Sequence, residues 1–278
     1  MISVITPVYN SKKFIEECIK VVIEQNHSDI EHIIVDGSST DGTVEIVQEY
    51  AQKYPHIRWI SEKDRGQSDA MNKGIKMAKG EIMTILNVDD FYEPNVLNRV
   101  AQTFQNLPEP SFLVGNCNIL DDNDKIKRIN QPKRMKLTDL LVGHNINPFP
   151  FNPSAYFYHT SLHQKIGLYE VEEHYAMDVD FLLKAVQVAN VKYVDEIWGN
   201  YRQISGTKTV EDINSGQNEI RIQQIMNKHY AKLPKFQQWI VVAKREYYTM
   251  GYRLRHFSQN PQEILPKLGK RLGILRTY

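Results

Sequence analysis

Glu81-Ile82-Met83-Thr84-Ile85-Leu86-Asn87-Val88-Asp89-Asp90 is the stretch on which the fold turns. It opens as an apolar run too short for a helix, the mark of a strand buried on both faces, and stops directly on polar and acidic residues. The same arrangement recurs towards the N-terminus. His32-Ile33-Ile34-Val35-Asp36 reads as a strand ending in an acid, followed by the turn Gly37-Ser38-Ser39-Thr40-Asp41-Gly42. Ser3-Val4-Ile5-Thr6-Pro7-Val8 is a strand broken by Tyr9-Asn10-Ser11, and Ile57–Ile60 is another strand, upstream of Asp64. Between the strands the spacing is helical: Phe14, Ile15, Cys18, Ile19, Val22 and Ile23 behind Ser11 as a candidate cap, then Val44, Ile46, Val47 and Tyr50, then Asp69 to Lys79. Alternating strands and helices predict an α/β fold with a doubly wound, mostly parallel sheet covered on both faces. Such sheets bind ligands at the carboxyl ends of their strands.

The second half changes character. Phe112–Leu120 and Lys125–Asn130 read as a hairpin, Pro148-Phe149-Pro150-Phe151-Asn152-Pro153 as an irregular loop, Val179–Ala189 as a helix and Lys192–Asp195 as a strand. The sheet is therefore expected to be mixed there. A chain of 278 residues, 41% hydrophobic and 24% charged, is neither disordered nor fibrous and buries its own core without disulfides or a structural metal. Its two cysteines, Cys18 and Cys117, form no CxxC or Cys/His cluster, so they are expected to be free thiols in a reducing compartment. No stretch approaches the length of a membrane span, and MISVITPVYN carries no basic leader before its strand, so cytoplasmic residence is expected.

A net charge of +1 hides an asymmetry. Lys228 to Tyr278 carries 11 Lys/Arg against 2 Asp/Glu, a net of +9, while residues 1–227 carry 23 against 31, a net of −8. The expected organisation is a body over residues 1–227, in halves 1–110 and 111–227, and a basic amphipathic helical tail over 228–278, with the boundary near Pro234.

Asp36, Asp64 and Asp89-Asp90 all follow predicted strands and would share one rim of a parallel sheet. Converging carboxylates repel, and a Mg²⁺ or Mn²⁺ ion shared with the phosphates of a ligand relieves that repulsion. Each Asp alone reads equally as a helix cap or turn residue. There is no GxxxxGK[ST] loop and no GxGxxG fingerprint, which removes support from kinase, ATPase and dehydrogenase readings. His159 and His163 have helical spacing but lack the Glu of HExxH, and read as core or surface histidines.

Four segments together resemble a known family: Ser3-Val4-Ile5-Thr6-Pro7-Val8-Tyr9-Asn10, Val35-Asp36-Gly37-Ser38-Ser39-Thr40-Asp41-Gly42-Thr43, Asp64-Arg65-Gly66-Gln67-Ser68-Asp69-Ala70-Met71-Asn72-Lys73-Gly74 and Leu86-Asn87-Val88-Asp89-Asp90. In this order, with the later Tyr175-Ala176-Met177-Asp178-Val179-Asp180-Phe181, they are similar to glycosyltransferase family 2 of the Rossmann-like GT-A fold over residues 1 to about 210.

The resemblance implies a nucleotide-diphosphate sugar, UDP-sugar favoured, held across the first half by Pro7, Val8, Tyr9, Asp36, Asp64 and Arg65. Asp89 matches the last acid of the metal-binding DxD-like motif. Asn87 replaces the first and is a candidate ribose or water ligand beside Val88. The family's general base corresponds to Asp178, and direct displacement inverts the anomeric centre; a helix cap is the alternative role for Asp178. QxxRW, similar to the motif of processive members, is absent, so one sugar per binding event is expected. Arg202 or Lys208 is a candidate lid over the diphosphate, with a solvated loop as the alternative. The acceptor, a glycan or lipid-linked molecule of surface polysaccharide or glycolipid synthesis, is expected between loop 144–154 and the helix after Asp178.

The tail interleaves its basic residues with Trp239, Tyr247, Tyr248, Tyr252 and Phe257, which suits either an anionic membrane surface contacted by 235–278 or packing on the body or on a second copy in a homodimer. Nucleic acid is not an expected partner. Two rival readings stand beside the transferase: a sugar-phosphate nucleotidyltransferase, which would carry a Gly-rich basic loop after the first strand, and a non-catalytic scaffold of the same fold.

Overall fold

The apolar runs form the strands expected of them. In the computed structural model, which describes residues 1–172, 176–207, 210–211 and 215–259, β1 (Ile2–Val8), β2 (Ile30–Asp36), β3 (Ile57–Ser61) and β4 (Ile82–Ile85) lie parallel in the order β3-β2-β1-β4. They alternate with α1 (Lys12–Ile23), α2 (Thr43–Lys53) and α3 (Gln67–Met77). Both faces of β1 are covered, which is why its sequence is apolar without alternation: Val4 packs with Cys18 and Val22 of α1, and Ile5 with Ala70 and Ile75 of α3. Gly74 lets α3 lie close on the sheet, because a Cβ there would collide with Ile5.

The second half is the mixed sheet expected of it. After β5 (Phe91–Tyr92) and α4 (Val96–Phe104) come β6 (Ser111–Leu120), β7 (Ile126–Asn130), the short α5 (Leu137–Leu140) and a 3-10 turn at Pro153–Ala155. Next come β8 (Tyr156–His159), α6 (Leu162–Ile166), α7 (Met177–Val188) and β9 (Asn190–Arg202), then α8 (Gln217–Ala231) and α9 (Lys235–Gln259). The sheet continues β4-β8-β6-β9-β5, with β8 antiparallel to both neighbours, β9 parallel to β6, and β7 folded back on β6 as a hairpin.

Three details depart from the sequence reading. Ser11 occupies the position before α1 but does not cap it; its hydroxyl donates to the Tyr9 carbonyl instead. The expected strand Lys192–Asp195 runs on to Arg202, because its second half pairs with β6 and its end with β5, partners no local pattern reveals. Trp198 is buried there against Gly115, where a Cβ would stand 2.5 Å from the indole. Residue 228 lies inside α8, and the chain breaks at 232–234 before α9. Lys208, Tyr175 and residues 260–278 lie outside the described residues.

Candidate active site

The parallel strands deliver four loops to one rim. Tyr9 and Asn10 follow β1, and Gly37 and Ser38 follow β2, while Asp64 and Arg65 come after β3 and Asn87 to Asp90 after β4. The first two loops are cross-braced. The Asn10 amide donates to the Ser39 hydroxyl at 2.7 Å, and the Thr40 amide donates to the Asn10 side chain at 2.9 Å. Asn10 and Ser38 both hold the left-handed backbone conformation, with φ of 46° and 66°. Pro7 and Val8 are buried in the strand beneath, while the Tyr9 ring is 63% exposed.

Asp64 completes this corner. A Cβ placed on Gly37 would sit 2.5 Å from Oδ2 of Asp64 and 3.4 Å from the Tyr9 ring, so carboxylate, glycine backbone and phenol ring meet at one corner of the rim. The other Asp64 oxygen accepts from the Gly66 amide at 2.9 Å, at the start of α3. Arg65 projects outward and pairs with Asp69 at 3.5 Å. Asp36, expected to touch the ligand directly, is buried instead, and both its oxygens are committed: the Ser39 amide at 2.9 Å, the Ser61 hydroxyl at 2.7 Å and the Ser39 hydroxyl all donate to it. Its visible work is to fix the turn that carries Gly37.

The acidic turn after β4 divides its labour. Asp90 is buried and accepts from the Asn152 side chain at 2.6 Å, the Asn87 side chain at 2.9 Å and the Arg202 amide at 3.3 Å. Asn87 is spoken for on both sides, since its carbonyl also accepts from Gln67 at 3.0 Å. Asp89 is partly buried, with the Arg202 charge as its nearest positive influence. Burial raises the carboxyl pKa of Asp89, and burial together with the Asp89 charge raises that of Asp90 well above the ordinary carboxylate range. Val88 is half-buried between them and packs into the core below.

Arg202, a candidate lid, is engaged at the base of the acidic turn. It ends β9 with its guanidinium bound to Glu17 at 2.8 Å and Asp124 at 2.7 Å and 4.6 Å above the Phe91 ring, and it reaches the Asp89 carbonyl at 3.4 Å. In this arrangement the side chain ties α1, the β6–β7 turn and the acidic turn together. Asn152 and Arg202, which brace Asp90, carried no signal of that role in the sequence beyond lying in a loop and a segment already suspected.

Asp178 stands in the first turn of α7, where its carboxylate accepts the Val179 amide at 2.9 Å; the capping position belongs to Ala176. Two cavities meet at this residue. A smaller one of about 110 Å³ runs from Gln67 and Asn87 past Asn152 to Asp178, and a larger one of about 460 Å³ opens on its other side between Arg128, Asn130, His144 and Asn218. Phe151, Asp178 and Tyr201 line both. Burial, with the charges of Asp90, Asp89 and Asp178, pushes the Tyr201 phenol up. The rim thus joins the corner of Tyr9, Gly37 and Asp64, a carboxylate-rich turn and an acid facing a second chamber.

The sequence profile of Glycosyl transferase family 2 matches residues 3–164, more than half of the chain. The chain belongs to glycosyltransferase family 2. Among relatives, this glycosyltransferase is 29% identical over 213 residues to a chondroitin synthase of Escherichia coli, covering 75% of the chain and 30% of that protein. It therefore spans about a third of that relative's length. In fold it is similar to S. aureus TarS 1-349 in complex with UDP-GlcNAc, with a TM-score of 0.66 and 21% identity over 92% of this chain and 72% of that one. It is also similar to the mannosyltransferase PcManGT from Pyrobaculum calidifontis in complex with GDP-Man and Mn²⁺, with a TM-score of 0.59 and 19% identity over 99% and 81% of the two chains. The glycosyltransferase thus has the GT-A fold, extended by C-terminal helices.

The family's divalent cation can be weighed against these residues. Among the described residues no group of three or more His, Cys, Asp or Glu gathers around one point, so an all-protein cage is not there. Two adjoining carboxylates with raised pKa values, the buried Asp90 spent on structural hydrogen bonds and Asp89 only partly buried, do fit a cation that takes Asp89 from the protein and its other ligands from phosphate and water.

Proposed function

We propose that this glycosyltransferase moves one sugar at a time from a nucleotide-diphosphate sugar, UDP-sugar favoured, to a hydroxyl of a glycan or lipid-linked acceptor in surface polysaccharide or glycolipid synthesis. The observation that carries the reading is the position of Asp178, the one acidic side chain among the described residues common to the cavity bordering the acidic turn and the larger chamber opposite. The UDP-GlcNAc and GDP-Man bound by fold neighbours, and the name of the chondroitin synthase relative, support the substrate class. The free, buried Cys18 and Cys117 suit a cytoplasmic site of action.

In this mechanism the recess of Tyr9, Gly37 and Asp64, floored by Pro7 and Val8 and shaped by Asp36, holds the nucleoside, with Arg65 at its mouth. Asn87, Val88 and Asp89 border the diphosphate. A Mn²⁺ or Mg²⁺ ion on Asp89 would offset the charge that develops on the departing diphosphate. The acceptor enters through the larger chamber. Asp178 takes the proton of its hydroxyl as that oxygen bonds to the anomeric carbon and the bond to the diphosphate oxygen breaks, which inverts the configuration. Half-buried Phe151 of the Pro-rich loop and Tyr201 line both cavities beside Asp178 and limit water there, where a charge on Asp178 acts strongly.

The test is release of nucleoside diphosphate from a panel of UDP- and GDP-sugars, with Mn²⁺, Mg²⁺ or chelator. Turnover of one donor that requires metal and disappears in Asp89→Ala and Asp178→Asn is the expected result. No turnover, and no nucleotide-dependent rise in melting temperature, would leave the non-catalytic scaffold standing.

A further inference from the structure

Helix α9 has two faces with different work. Its inner face is fastened to the body: Val241 is fully buried, Lys244 lies 2.7 Å from Asp139, Arg245 donates to the Leu141 and Val142 carbonyls at 3.2 Å, and Tyr248 lies 4.1 Å beneath the Arg134 guanidinium. At 100° per residue, Phe236, Trp239, Ala243, Tyr247 and Met250 fall within an arc of roughly 80° on the opposite side, a stripe about 21 Å long. Its large side chains stand in solvent: Phe236 is 71% exposed, Trp239 67%, Tyr247 70% and Met250 59%.

We infer that this outward stripe of α9 is a docking surface for an anionic lipid bilayer. Three exposed lysines, Lys228, Lys232 and Lys235, lead into the stripe at the end that carries Phe236 and Trp239, and among the described residues none of them has an ion-pair partner. Glu246, just outside this arc, is the single carboxylate of α9, and beyond the stripe the sequence from Arg253 to Tyr278 adds six Lys/Arg and one Glu. Aromatic rings beside lysines suit the headgroup boundary, where each ring has an apolar body to bury and a polar edge to leave wet. A second copy of the same face offers no carboxylate to these lysines beyond Glu246, whereas an anionic surface complements all of them. Among the described residues no helix is long and apolar enough to cross a membrane, so the contact is with the surface. The structure also sorts the tail's charge: Lys244 and Arg245 are turned towards the body and contribute little to the lipid contact.

Flotation of the full chain with neutral phosphatidylcholine vesicles, and with vesicles containing about a third phosphatidylglycerol, tests this. Co-flotation with the anionic vesicles, weakened by salt, is expected, with a blue shift of tryptophan fluorescence that is absent from Trp239→Phe. The double variant Phe236→Ser/Trp239→Ser should lower vesicle affinity at least about tenfold while melting as the parent does, since both rings already face water. Absence of flotation, or flotation indifferent to the double variant, overturns the inference. So does a dimer in light scattering, without vesicles, that the same double variant dissolves.

Discussion

Arg202 and Asp90 meet across 112 positions of sequence, with the Arg202 amide donating to the Asp90 carboxylate at 3.3 Å. The guanidinium of the same residue is bound by Glu17 and Asp124 and steadies the Asp89 carbonyl, so the end of β9 is clamped onto the acidic turn. Arg202→Ala is expected to cost about 1–3 kcal/mol of stability, most of it from the loosened turn, because Glu17 and Asp124 are half exposed and contribute little as ion pairs. Denaturant unfolding measures the loss. Donor turnover should fall with it, and Arg202→Lys, which keeps the charge but not the fork, should recover stability only in part.

Asp178→Asn keeps the size of the side chain in the α7 turn and removes the proposed base. Turnover is expected to drop by about 10²–10⁴ with donor KM nearly unchanged. A comparable rise in KM, or a drop of several degrees in Tm, would assign Asp178 to structure.

Gly37→Ala probes the proposed nucleoside site without touching any proposed catalytic group. The new methyl would contact Asp64 at 2.5 Å and push its carboxylate aside. Calorimetry should find UDP binding weakened about tenfold, or about 1.4 kcal/mol, and a thermal scan should find Tm nearly unmoved.

Asp180 carries the clearest pH dependence. Burial opposes its ionisation, yet the hydrogen bonds from His229 at 2.8 Å and Lys184 at 2.6 Å hold its carboxyl down at about 2. A folded pKa below the unfolded value near 3.9 means stabilisation that is complete above about pH 5 and lost as pH falls towards 2. Asp180→Asn should therefore unfold about 2 kcal/mol more easily at pH 7, and the gap should close between pH 4 and pH 2. A gap that is constant with pH would show that the carboxylate's charge is not what stabilises this contact.

Much of this was legible because it is local. An apolar run ending on acids, repeated with helical spacing between, fixes strands, helices and the rim on which Asp64 and Asp89 stand. What escaped was long-range. Asn152 lies 62 positions from Asp90 and Arg202 lies 112 away, and nothing in either neighbourhood announces the partner. The same limit explains Asp36, whose place on the rim was readable while its capture by Ser39 and Ser61 was not. The strand to Arg202 was cut short because Glu196-Ile197-Trp198-Gly199-Asn200 becomes extended through pairing with β6 and β5, beyond what its own pattern requires.

The braces between Asn10, Ser39 and Thr40 have a thermodynamic consequence. Loops already locked in left-handed turns by one another's side chains have little freedom left to surrender when a nucleotide arrives, so the recess is preorganised. Association should then lack the large unfavourable entropy of coupled ordering. Discrimination among bases would come from a mould that does not yield, and relaxing it, for example by Asn10→Gly, would trade selectivity for tolerance.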